Sequence, residues 1–146
     1  HHIEGNTVAD VADRLLRFYD PYHAKVAELA AAPHRPFILS LHSFTPGLPT
    51  KPDEARPWEI GILYNADDRA ARIAIPLLEQ AGFSVGDQQP YSGKLLNASM
   101  NRHAEAHHRP YLGVEMRQDL VKEITGQGRF SEILNHILQE CRNKIT

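Results

Sequence analysis

The chain has 146 residues, 42% hydrophobic and 23% charged, with a formal net charge of −2. That composition is ordinary for one folded domain with a substantial core, and it offers no basic field for nucleic acid. No apolar run approaches the ~20 residues of a membrane-spanning helix, and the single cysteine, Cys141, excludes an internal disulfide framework and fits a reducing compartment.

The first residues, His1-His2-Ile3-Glu4-Gly5, read either as a tag remnant or as native sequence exposed by cleavage. From Thr7 onward, Val8, Val11, Ala12, Leu15, Leu16 and Tyr19 fall at helical spacing on one face. Asn6 or Thr7 supplies the cap. Asp20-Pro21 then interrupts: either a second helical segment begins there and runs to Ala32, or one helix continues with a kink. This stretch is expected to be a packing helix.

Pro33 to Pro36 leads into the apolar run Phe37-Ile38-Leu39-Ser40-Leu41-His42. Its length, bounding prolines and apolar character predict a buried strand of an α/β sheet. A histidine at the carboxyl end of such a strand sits where open α/β sheets place their ligands. The alternative is a satisfied strand-end histidine. Six of the ten prolines lie between Pro33 and Pro57, which predicts an irregular loop over residues 43–57.

A second strand is expected over Trp58–Tyr64 and a helix over Asp68–Gln80, with Ala71, Ile73, Ile75 and Leu78 inward and Pro76 kinking it or shifting its start. A third strand follows at Phe83–Gly86. Residues 87–100 are polar and turn-rich, and Asn101–His107 suits a short helix. Tyr111–Met116 is the fourth strand, Asp119–Thr125 is helical, and Phe130–Arg142 closes the chain with Ile133, Leu134, Ile137 and Leu138 inward. This order predicts an α/β fold with a mixed, largely parallel sheet flanked by helices.

The fourth strand carries Glu115 and Arg117, which alternation puts on one face. The guanidinium is expected to hold the carboxylate ionised, as a general base requires; a structural ion pair is the alternative. Arg102 and His103 in a loop suit an anionic group, and Arg56 is a second candidate. A solvated surface cluster is the bland reading of both. There is no glycine-rich phosphate loop, no CxxC, no HExxH and no G-x-S-x-G. The adjacent His107 and His108 point apart on any regular element, and Cys141 looks like a packing or partly exposed thiol.

Five segments occur in a telling order: Ser40-Leu41-His42-Ser43-Phe44-Thr45-Pro46, Arg56-Pro57-Trp58-Glu59-Ile60-Gly61, residues 85–93 (VGDQQPYSG), Asn101-Arg102-His103-Ala104, and Val114-Glu115-Met116-Arg117-Gln118-Asp119-Leu120. Together they resemble the N-formylglutamate amidohydrolase family over nearly the whole chain, from about Ile3. That family is similar in fold to the zinc carboxypeptidases. The resemblance implies a phosphorylase/hydrolase-like α/β domain over residues 1–146, a Zn²⁺ cofactor with His42 as a ligand, Glu115 as the catalytic base, and Arg117 orienting it or stabilising an oxyanion. It implies a small N-acyl amino acid substrate bound by Arg102, His103, Arg56, Tyr91 and Ser92, and a cytoplasmic role in histidine degradation. Family members carry further zinc ligands, a histidine and a glutamate, upstream of the matching segments. The chain is therefore expected to be the C-terminal part of such a domain, lacking N-terminal strands, with an exposed apolar edge or an association with the missing segment or another copy. A catalytically silent domain binding a small carboxylate or a protein partner is the competing expectation.

Overall fold

In the computed structural model, which describes residues 5–31 and 36–145, Thr7 opens the first helix. Its hydroxyl accepts the Asp10 N–H at 3.2 Å, and the Thr7 N–H donates to the Asp10 carboxylate at 2.8 Å. This reciprocal capping satisfies two of the four N–H groups a helix start leaves unpaired. Helix α1 (Val8–Arg14) passes through a π-helical segment, Leu15–Tyr19, into α2 (Asp20–Ala30). The Asp20 N–H donates to the Leu15 carbonyl, five residues back. Pro21 has no N–H to give the carbonyl four residues earlier, and its ring would press on it. Widening the preceding turn relieves both problems, so the helix runs on through the proline.

The expected packing face of this helix is open. Val8, Val11, Leu15, Leu16 and Tyr19 are all exposed; among the described residues, the helical unit (His1–Pro36) has no second element beside this continuous helix. Within it, the buried His23 ring meets the Tyr19 and Tyr22 rings at 4.1 and 5.0 Å between centroids. The readings placed on His1–Glu4 and on Ala32 and the lead-in from Pro33 fall on residues 1–4 and 32–35, outside the described residues.

The second compact unit, Phe37–Thr146, holds the sheet. Its strands are β1 (Ile38–Phe44), β2 (Ile60–Leu63), β3 (Val85–Asp87) and β4 (Tyr111–Arg117), in spatial order β1-β4-β2-β3. β1 and β4 are parallel, as are β2 and β3, while β2 and β4 run antiparallel. The expected mixed, largely parallel sheet flanked by helices is present. One burial expectation is corrected: β1 is an edge strand, with Leu41 47% exposed. Apolar composition alone does not separate a central strand from an edge.

Helix α3 (Arg69–Gln80) packs Ala70, Ala71, Ala74 and Leu78 inward, and Pro76 lies on its exposed side without ending it. Helix α4 (Ala98–His103) starts earlier than residue spacing predicts. So does α5 (Ile124–Lys144), which absorbs Gly126 and Gly128. A Cβ at Gly126 would collide with the Leu120 carbonyl, so glycine lets the first turn of α5 lie against the 3₁₀ turn Gln118–Val121. The buried stripe of α5 is Phe130, Leu134, Ile137 and Cys141. It is rotated from the predicted face, with Ile133 and Leu138 only partly buried, and Cys141 is fully buried. The core joins these side chains to Ile60, Ile62, Leu112 and Val114 of the central strands.

Candidate functional site

In the parallel ladder, Ser40 lies opposite Gly113 and His42 opposite Glu115. Side chains alternate along a strand, so these four positions share one face toward the carboxyl ends of β1 and β4. They line a cavity of about 390 Å³. The rest of its wall comes from Leu63, Val114 and residues 95–100. On the opposite face, Leu39, Leu41 and Met116 border an open apolar groove beside Phe130 and Leu134 of α5. A Cβ at Gly113 would stand 2.7 Å from the Leu63 carbonyl oxygen, so glycine lets β4 pass close to β2 beneath the cavity.

Burial pushes the Glu115 carboxyl above the usual glutamate range, and the charge of His42 opposes that shift. A carboxylate with a raised pKa is a stronger base. The expected hold of Arg117 on Glu115 is corrected. Arg117 sits where β4 gives way to the 3₁₀ turn, which brings Asp119 round to it, and the Arg117 Nε donates to Asp119 at 2.9 Å. A local partner two residues on captures the guanidinium.

The residues expected to bind substrate lie outside the cavity lining. Arg56 is buried; its Nη1 donates to the Tyr91 hydroxyl at 3.2 Å and to the Thr45 carbonyl at 3.4 Å, with Glu54 3.5 Å from Nη2. The guanidinium carbon is 5.2 Å from the centre of the Tyr91 ring, and its buried Nε has no partner. Arg56 and Tyr91 thus tie the two long loops together. The Ser92 hydroxyl accepts the Lys94 N–H at 3.3 Å, and its carbonyl takes the N–H groups of Leu95 and Leu96. His103 is buried at the end of α4, and Arg102 beside it is exposed.

Residue types alone missed Asn97 and Ser99, which line the cavity with Leu95, Leu96 and Met100. One signal was present: Leu95 and Leu96 are two adjacent leucines in an otherwise polar loop, and they are 84% and 64% exposed at the cavity wall.

A catalytic zinc typically takes three protein ligands and a water. Among the described residues, no group of three or more His, Cys, Asp or Glu side chains is placed to hold a metal. The donors of the cavity, one imidazole and one carboxylate, do not by themselves fit a catalytic zinc.

A family model described as N-formylglutamate amidohydrolase matches residues 2–122. The chain belongs to that family. Two solved structures share its fold. Gene product Atu2144 from Agrobacterium tumefaciens has a TM-score of 0.84 at 25% identity, with 97% of this chain and 57% of that chain covered. N-formylglutamate amidohydrolase from Ralstonia eutropha JMP134 has a TM-score of 0.71 at 21% identity, with 94% and 55% covered. This family member therefore spans little more than half the length of either protein. No curated protein matches the chain. None of its described helices is long and apolar enough to cross a membrane.

Proposed function

We propose that this chain carries the general base of an enzyme that hydrolyses the amide bond of an N-acylated acidic amino acid, with N-formylglutamate the type substrate. The observation that carries the reading is Glu115 facing His42 across the β1–β4 ladder at a cavity of substrate size. Membership of the family supports the same chemistry.

In this reading, Glu115 accepts a proton from the water that attacks the formyl carbon and returns it to the leaving nitrogen as the C–N bond breaks. Formate and a free amino acid result. Burial suits Glu115 to both transfers, because a raised pKa brings its two protonation states closer in energy near neutral pH. The substrate carboxylate is assigned to Arg102, exposed at the end of α4, whose earlier residues line the cavity. Zinc belongs to this reading as a proposal for a longer protein: His42 supplies one ligand, and the others come from residues beyond those described.

The test uses the protein at its natural length with N-formyl-L-glutamate, following formate release, beside the Glu115→Gln variant. Loss of about 10²–10⁴-fold in kcat is expected for the variant. Turnover near the wild-type rate would remove Glu115 from the chemistry. The two-donor set also favours a second reading, a silent domain of the same fold that binds a small carboxylate. Saturable binding of N-formylglutamate without formate release would establish it.

A further inference from the structure

A buried polar network lies behind the cavity wall. The Tyr111 hydroxyl at the start of β4 donates to the Glu105 carboxylate at 2.7 Å, and accepts from the Asn65 N–H at 2.9 Å and from Asn97 Nδ2 at 2.8 Å. Asn97 Nδ2 also donates to Asn101 Oδ1 at 3.0 Å, which takes a second bond from Asn65 Nδ2 at 3.2 Å. Burial, then the Glu105 carboxylate, push the Tyr111 hydroxyl above its ordinary pKa, so it keeps its proton for Glu105.

This network sets the orientation of the Asn97 amide. A hydroxyl has one proton to donate; Tyr111 gives it to Glu105 and can meet Asn97 only as an acceptor. Asn101 Oδ1 is likewise an acceptor. Both Nδ2 hydrogens of Asn97 are therefore spent inward, and flipping the amide would set oxygen against oxygen at both contacts. Asn97 occupies the N-cap position of α4, yet its side chain makes no capping bond. Its Oδ1 receives no protein donor among the described residues, on a residue that is 9% exposed and lines the cavity with His42 and Glu115.

We infer that Asn97 presents its side-chain carbonyl to the cavity as the acceptor for the N–H of the substrate's scissile amide, with Tyr111 as the positioning residue that holds it there. The role rests on the amidohydrolase reading above and adds a determinant of selectivity to it: a bond that carries a hydrogen on nitrogen is preferred to an ester of the same shape. An acceptor that the bound ligand cuts off from water and leaves without a donor costs more than the bond itself returns, so discrimination follows from the missing hydrogen.

The test compares N-formyl-L-glutamate with its ester counterpart, in which oxygen replaces the N–H. The protein of natural length is used, and the ester is read as turnover or as competitive inhibition. Asn97→Ala is expected to lower kcat/KM for the amide about ten- to a hundredfold while moving the ester value by less than about twofold. Tyr111→Phe, which keeps the ring in the core, is expected to give a smaller loss of the same selective kind, and it decides the matter where Asn97→Ala does not fold. Equal losses on both compounds, or none on the amide, would overturn the assignment and leave the amidohydrolase reading intact. A wild-type protein that does not hydrolyse the amide sinks both.

Discussion

His42 and Glu115 are register partners in the parallel β1–β4 ladder, and their side chains enter the same cavity. Some seventy residues separate them in sequence, and the β2–β3 half of the sheet is built in between. The pairing makes the burial of Glu115 and the charge of His42 one local electrostatic problem.

If His42 is a metal ligand in the natural-length protein, His42→Ala should lower its zinc content. Elemental analysis after purification would read near one zinc per chain for wild type and well under half for the variant. Exhaustive chelation of wild type should abolish formate release, and added Zn²⁺ should restore it. Equal zinc in the two proteins would remove His42 from the ligand set.

Gly113→Ala should destabilise the α/β unit by about 1–3 kcal/mol. The added methyl meets the backbone oxygen of Leu63, which cannot swing away as a side chain would. Urea unfolding would show a lower midpoint at unchanged slope. An unchanged midpoint would mean that β2 and β4 separate more easily than the packing indicates.

Burial pushes the Cys141 thiol up to about 11, against the opposing effect of Lys144. A thiol reacts as its thiolate. Disulfide reagents at about pH 8 should therefore label the folded protein slowly and the urea-unfolded protein at once. The linkage has a definite sign. The folded pKa lies above the unfolded one, so the contribution of Cys141 to stability is intact below the unfolded value and is lost as pH rises from there towards 11. Cys141→Ala should flatten that alkaline decline.

Glu59 shows the opposite sign. Burial raises its carboxyl, but the Ser84 N–H at 3.0 Å and Arg129 Nη1 at 3.0 Å outweigh it, and the net shift is downward. Ionised Glu59 therefore stabilises the fold above the ordinary glutamate value, and the benefit disappears as pH falls through the lower folded value. Glu59→Gln should cost stability at neutral pH and match wild type once both are acidified. Thermal unfolding across that range would check it; a difference independent of pH would assign the effect to shape instead of charge.

The elements themselves were largely legible in the amino-acid sequence. Apolar runs and turn residues located all four strands to within a few positions. His42 and Glu115 stood out because charged or titratable groups are costly in apolar strands and need a reason to be there. Helix limits were less legible. Pro21 and Gly126 look like breaks in a linear pattern, yet a widened turn accommodates one and a close backbone contact requires the other.

What the sequence by itself determined was the set of strands, the two residues His42 and Glu115 as candidates, and the family, because periodicity and motif order are properties of a line of residues; that the two face one another was decided by the β1–β4 register. The tertiary structure alone decided the company each side chain keeps. Arg117 turns to Asp119, Arg56 is spent on Tyr91 and Thr45, and Asn97, unremarkable in a polar loop, is held at the cavity wall by Tyr111. Hydrogen bonds are short and directional, so a partner within about 3 Å takes a polar group whatever its spacing suggests. Only the folded chain brings Asn65, Asn97, Asn101 and Tyr111 within that reach.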